Sequence, residues 1–282
     1  MRPGNLIFLG ARPGMGKSAL GVNIAMNVAL AGTPAAIFSL EMTNDEVTCR
    51  LTSSFSGVAL SKLIDPNGPG AEKPTEGDIA KLMEFKRQVD EVGALLELDE
   101  TSALTLPQLH AKARRLKSKG KLGFLVVDHM HLMKGVGGKS EASRVAEVTE
   151  ITSGLKSLAK ELNIPVLALA QLNRNTESRE DKRPRAADLR DSGSAEQDAD
   201  VIMMLYREEE YVQNQKEDPC SAEYAEWCAR LDACRGKAEL IFTKVRHGKT
   251  GIVDLQYEGP TATFRSMTKA QLAKLANERS AA

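Results

Sequence analysis

Residues 11–18 read Ala11-Arg12-Pro13-Gly14-Met15-Gly16-Lys17-Ser18, a run suited to holding a chain of phosphates. Glycines let backbone N–H groups turn inward on an anion, and the N-terminus of a following helix adds its dipole. Lys17 can then reach two phosphates at once, while the Ser18 hydroxyl can join a magnesium shell. Ala11 stands where the pattern usually has glycine, with Gly10 one place earlier. That position needs a tight turn but not a positive φ, so alanine is tolerated. The candidate nucleotide-contacting set is therefore Ala11, Arg12, Pro13, Gly14, Met15, Gly16, Lys17, Ser18 and the neighbouring Ala19.

Three more polar residues close apolar runs: Glu41 after Ala36–Leu40, Asp128 after Phe124–Val127 and Gln171 after Val166–Ala170. Such runs read as strands of a parallel sheet, whose C-terminal edge is where ligands bind, so all three should converge on the phosphate loop. Asp128 after four apolar residues has the form of the acid that holds a magnesium shell opposite Ser18. Glu41 has no capping duty, because Thr43 and Glu46 supply a capping box for the next helix, and it is free to deprotonate an attacking water. Gln171 can hydrogen-bond the terminal phosphate or that water. Lys17 alone leaves a phosphoryl-transfer transition state short of positive charge; candidates to complete it are Arg190 and the pair Lys244 and Arg246, which share one face of a strand end.

The elements that must position these residues alternate short apolar runs with longer amphipathic ones, the pattern of an α/β protein with a mostly parallel sheet flanked by helices. Strands are expected over residues 6–9, 35–40, 94–98, 123–127, 165–170, 201–206, 238–245 and 251–257, the last ones antiparallel. Capping boxes mark helix starts at Thr43 and, more loosely, at Thr75 with Asp78; Ser140 stands near the start of a long helix ending at Asn163. Residues 65–74, with three prolines and two glycines, read as a loop, and residues 173–200 as irregular. Residues 208–235 interrupt consecutive strands and read as an insertion with a helix over 222–234. Residues 1–267 form one domain, and 268–282 a short exposed tail helix.

The 282 residues carry 38 Lys and Arg against 38 Asp and Glu, so the net charge is zero and a polyelectrolyte tail is excluded. No apolar run approaches the roughly 20 residues of a membrane span, and the N-terminus lacks a secretory pattern, which points to the cytoplasm. The four cysteines, at 49, 220, 228 and 234, form no C-x-x-C pair, and the four histidines match no zinc spacing. A neutral chain with twelve aromatic residues (seven Phe, four Tyr, one Trp) has little for coating a duplex by charge or for base-stacking platforms. Tracking of a nucleic-acid backbone through loops remains open to it.

The phosphate loop, Ser39-Leu40-Glu41-Met42, Val126-Val127-Asp128-His129-Met130-His131-Leu132-Met133, Ala170-Gln171-Leu172-Asn173-Arg174, residues 188–200 and Thr243-Lys244-Val245-Arg246 together resemble the C-terminal motor domain of DnaB-type replicative helicases over roughly residues 4–265. The resemblance implies a RecA-like P-loop ATPase that binds ATP and magnesium, assembles as a homo-oligomer, a hexameric ring, and moves on single-stranded DNA. It makes Glu41 the catalytic glutamate and Lys244 with Arg246 a finger pair acting on a neighbouring subunit's nucleotide. Arg50 becomes a base contact; Arg190, Asp191, Ser192 and Gly193 become a DNA-holding loop, with residues 135–144 as the other channel loop. Primase or a helicase loader are implied partners. His129 and His131 stand where the family usually has an aromatic and a glutamine, and the family's N-terminal primase-binding domain and linker helix are not expected in a chain starting so near the first strand. The rivals are a RecA-fold ATPase that assembles without unwinding and a nucleotide-gated interaction module.

Overall fold

Among the described residues, nine strands form one sheet in the order β3-β2-β4-β5-β1-β6-β7-β8-β9. They are β1 (Leu6–Ala11), β2 (Ala35–Ser39), β3 (Leu96–Asp99), β4 (Phe124–Asp128), β5 (Val166–Gln171), β6 (Val201–Tyr206), β7 (Lys237–Val245), β8 (Gly251–Glu258) and β9 (Thr263–Ser266). The first six run parallel to one another, and β7, β8 and β9 extend the sheet antiparallel. The computed structural model describes residues 1–282 except 66–71, 94, 134–140, 174–176, 178, 180, 190, 191 and 282.

The strands of the middle are apolar throughout because both faces are covered. Every residue of β1 and β4 is buried. Leu6 and Phe8 of β1 face a core shared with α5 (Leu106–Ser118) and α6 (Glu141–Leu162), whereas Ile7 and Leu9 face one shared with α1 (Lys17–Leu30) and α2 (Asn44–Ser56). Each such fully buried side chain contributes about 1.5–3 kcal/mol. Helix α1 lies close on the sheet at Gly21, where a Cβ would come within 2.9 Å of Leu169 Cδ1. That approach fixes the height of the phosphate loop above β5.

Local signals set the other helix ends. Thr43 and Glu46 form the expected capping box on α2, after which come α3 (Ser61–Ile64) and α4 (Glu76–Val92), itself started by a full box between Thr75 and Asp78. Ser140 lies outside the described residues. Residues 173–200, expected to be irregular, contain a 3-10 turn at Ala186–Asp188 and α7 (Ser192–Asp198) among the described residues. The insertion holds two helices rather than one: α8 (Glu208–Asn214) and α9 (Tyr224–Cys234), joined by a 2.8 Å hydrogen bond from Trp227 Nε1 to the Val212 carbonyl. Three glutamates in the first turn of α8 suit its N-terminal dipole. The tail is α10 (Lys269–Ala281). Among the described residues no helix is long and apolar enough to cross a membrane.

Candidate functional site

The loop between β1 and α1 depends on glycine at two places. Gly14 (φ +81°) and Gly16 (φ +89°) occupy the left-handed region, which side chains disfavour. Space is short as well: a Cβ on Gly16 would lie 2.9 Å from Phe264 Cζ, and one on Gly14, 2.5 Å from Glu210 Oε1, would push that carboxylate aside. No acid sits in the first turn of α1, so nothing on the helix itself neutralises its N-terminal dipole. The loop opens on a cleft of about 370 Å³.

Register brings the other residues to the same edge. Ala11 at the end of β1 pairs with Gln171 at the end of β5, and Ser39 at the end of β2 pairs with Asp128 at the end of β4. Gln171, Glu41, Arg50 and His129 accordingly line the cleft beside Ala11, Arg12, Pro13, Gly14, Gly16, Lys17, Ser18 and Ala19. Met15 of the same loop is buried, 2% exposed, beneath it. Arg12 donates to the Leu172 carbonyl at 3.0 Å and to Glu177 Oε1 at 3.1 Å, tying the loop to the segment after β5.

The electrostatics are those of a site with unmet demand. Burial pushes the Lys17 ammonium below its ordinary pKa, and Asp128 and Glu41 only partly oppose that. Asp128 is 3% exposed; its Oδ1 lies 3.7 Å from Lys17 Nζ and accepts no hydrogen bond. A buried carboxylate oxygen without a donor is costly unless a cation or a ligand's proton meets it. With the Ser18 hydroxyl and a loop turned through left-handed Gly14 and Gly16 on the same edge, this donor set fits an anion carrying a divalent cation. Glu41 stands at the rim, its side chain 55% exposed, with Oε2 3.5 Å from His129 Nε2. His129 follows Asp128 through a cis peptide bond, is buried, and has no hydrogen bond at Nδ1. Burial and the Lys17 charge lower its pKa against the pull of Glu41 and Asp128. Arg50, on α2, likewise presents a buried Nε with no partner. His131 lies in the turn Met130–Leu132, its ring 6.0 Å from that of His129.

A reading of the sequence gives no site role to three cleft-lining residues, Met42, His129 and Tyr257. Met42 directly follows Glu41, so its place is a consequence of that strand end; Tyr257 arrives on β8 with no local signal. Lys244 and Arg246 are not brought to this cleft within the chain. They lie at the far end of β7, where Val245 pairs with Val201 and Val201 in turn with Ile7, the edge opposite the phosphate loop. There Lys244 Nζ donates to the carbonyls of Glu196 and Gln197, and Arg246 Nη1 to Asp200 Oδ1 at 3.1 Å. Arg190 and Asp191 lie outside the described residues, and Ser192 and Gly193 open α7. Of the other channel segment, residues 135–140 lie outside the described residues, and 141–144 begin α6.

A family model, the DnaB-like helicase C-terminal domain, matches residues 1–266. The chain belongs to that family. Among curated proteins it is 39% identical over 280 residues to the replicative DNA helicase DnaB of Rickettsia felis, covering 94% of this chain and 54% of that protein. To the DnaB of Pasteurella multocida it is 36% identical over 271 residues, covering 95% and 53%. The chain thus spans about half the length of these relatives. Among solved structures, a DnaB-like replicative helicase described with its interactions with primase superposes with a TM-score of 0.79 at 29% identity, covering 95% of this chain and 58% of that one. A second solved structure, described as an ATPase domain, does so at 0.77 and 28%, covering 95% and 86%. The DnaB-like chain has the RecA-type fold of these neighbours, with the phosphate loop, Glu41, Asp128 and Gln171 gathered on the C-terminal edge of its parallel strands.

Proposed function

We propose that this DnaB-like chain is an ATP-dependent DNA helicase motor: it binds Mg-ATP in the cleft, hydrolyses it between subunits of a ring, a hexamer, and so moves along single-stranded DNA and separates duplex. The observation that carries the reading is the buried Asp128 Oδ1, 3.7 Å from Lys17 Nζ and without a hydrogen bond, on the same strand edge as Glu41 and the phosphate loop. Magnesium bound there supplies charge neutralisation for the phosphates. Ser18 and Asp128 hold its shell, and Lys17 with the loop N–H groups binds the phosphate oxygens. Glu41, exposed at the rim, takes the proton of the attacking water, and Gln171 orients that water or the terminal phosphate. Arg50 holds the base.

The far-edge position of Lys244 and Arg246 supports a role in trans, since neither can serve the cleft of its own chain. Arg190, Asp191, Ser192 and Gly193 hold the DNA backbone. Residues 1–267 are the motor and 268–282 a tail; primase, named with one of the structural neighbours, and a helicase loader are the partner classes this reading admits, and the cytoplasm its compartment.

The test is ATP turnover with and without oligo-dT, molecular mass with an ATP analogue, and strand displacement. Glu41→Ala should bind nucleotide within a few-fold of wild type and lose turnover by about 10²–10⁴-fold. Wild-type turnover in Glu41→Ala removes it as the base. A ring whose ATPase responds to oligo-dT yet displaces no strand leaves the assembling, non-unwinding ATPase instead.

A further inference from the structure

Arg207 is 5% exposed, lies between the end of β6 and the start of α8, and does not line the cleft. Four contacts surround it, one of them an ion pair with Glu210 Oε2 at 3.8 Å from Nη1. Nη1 donates to the Gly14 carbonyl of the phosphate loop at 3.2 Å; Nη2 donates to Glu209 Oε2 at 3.1 Å; the guanidinium lies 3.8 Å from the centre of the Tyr257 ring. Tyr257 lines the cleft and packs on Phe264, ring centres 4.7 Å apart. Glu209 Oε2 also accepts the Gly236 N–H at 3.2 Å, and the Gly236 carbonyl accepts from Tyr257 N at 2.8 Å. Glu210 closes the ring of contacts, its carboxylate filling the space that a Cβ on Gly14 would need.

The start of the 208–235 insertion, through Glu209 and Glu210, is therefore fastened to the same guanidinium that holds the phosphate loop and one wall of the cleft, and Gly236, just past its end, is tied to it through the Glu209 carboxylate. The peptide after Gly14 is easy to rotate, because glycine offers no steric resistance. Turned inward, its carbonyl would repel bound phosphates. A charge-assisted donor on that oxygen keeps it turned out, and the planar guanidinium can do this while stacking on the tyrosine, which an ammonium cannot. We infer that Arg207 is a positioning residue for the cleft, and that through it the α8–α9 insertion is a handle on nucleotide affinity. Displacement of α8–α9 changes that affinity, and bound nucleotide stiffens α8–α9 by the same coupling free energy. This rests on the cleft being the nucleotide site.

The experiment is hydrogen exchange over residues 208–214 and 224–234 with and without Mg-ADP, alongside titration with a fluorescent ADP analogue. In the wild-type chain ADP should slow exchange in both helices. Arg207→Lys should weaken ADP about ten-fold and abolish that slowing at saturating ADP, while Arg183→Lys, the same change at the Glu239 ion pair, leaves both as in wild type. Tight ADP binding with unchanged exchange in α8–α9 overturns the inference and leaves the nucleotide site standing, as does wild-type affinity in folded Arg207→Lys. Failure of the wild-type chain to bind ADP any better than Lys17→Ala overturns the nucleotide reading itself. Should Arg207→Lys not fold, the wild-type exchange measurement decides alone.

Discussion

The two ends of the parallel strands are built on opposite terms. At the C-terminal end, Asp128 Oδ1, His129 Nδ1 and Arg50 Nε are buried without hydrogen-bond partners, and Lys17 is desolvated. At the N-terminal end the buried carboxylate of Asp200 accepts from the Leu6 N–H at 2.8 Å, is paired with Lys156 and takes Arg246 at 3.1 Å. One end has polar groups awaiting something, the other has them satisfied by its own chain. An unsatisfied buried polar group calls for an explanation, and three of them gathered at one cleft point to a bound partner or a reaction, so the contrast separates residues held for function from residues held for stability. Arg246 belongs to both classes: bonded through Nη1, it still leaves half its side chain, 52%, in solvent.

That dual position makes Arg246→Ala the sharpest way to break the comparison. In assembled chains, turnover should fall by a factor on the order of 10³ or more, with nucleotide affinity within a few-fold. Its ion pair is half exposed, so the stability cost should stay near 1 kcal/mol or less. Normal turnover by an assembled variant moves the finger role elsewhere and leaves Arg246 a structural residue only.

Lys17→Ala comes next. Nucleotide affinity should drop at least about 100-fold, the scale for losing one member of a buried charged contact. Thermal stability should change little, because removal of a desolvated ammonium offsets the loss of the cation 3.7 Å from buried Asp128. A marked fall in melting temperature without nucleotide would place Lys17 among the stabilising residues and weaken the division between the two ends.

Asp200→Asn tests the other half. Leaving Lys156 buried beside a neutral group should cost about 3 kcal/mol, read as a lower denaturation midpoint, with nucleotide affinity almost unaltered. A comparable loss of affinity would show that the two ends are coupled through β1, whose first residue donates to Asp200 and whose last begins the phosphate loop.

How much of this a sequence reader can see follows the same division. Glu41, Asp128 and Gln171 are legible because each directly follows an apolar run, and the parallel register then carries them to one edge without further information. Lys244 and Arg246 are legible as a strand end, but their capture by Asp200 and by the carbonyls of α7 is not, because the captors sit in a segment without periodicity. Strand β9 is invisible for a related reason. Thr263 is buried, yet its hydroxyl is met by Ser54 Oγ at 3.0 Å, and the Phe264 N–H donates to Asn23 Oδ1 at 2.9 Å. Partners from α1 and α2, more than 200 positions earlier, make a polar stretch acceptable in the core. Tyr257 reaches the cleft by the antiparallel extension, which no local pattern connects to it, and Arg207 meets the Gly14 carbonyl from the end of β6, which pairs parallel with β1.

The smallest effect in this series is one of pH, and it too distinguishes the ends. Burial raises the Asp200 carboxyl pKa, but Lys156, the Leu6 N–H and Arg246 outweigh it and hold the group below its ordinary value. The folded chain therefore binds fewer protons at this site than the unfolded chain as pH falls toward the free carboxylate value of about 3.9. The stability from Asp200 is present in full above that value and is lost as pH drops through it toward the lower folded pKa. An asparagine there cannot titrate. The gap in melting temperature between wild type and Asp200→Asn should thus be widest near neutrality and narrow as the buffer is taken from pH 7 toward about 4. Parallel curves over that range would mean that Asp200 draws its hold from hydrogen bonding that asparagine keeps, and that charge pairing at the satisfied end contributes little.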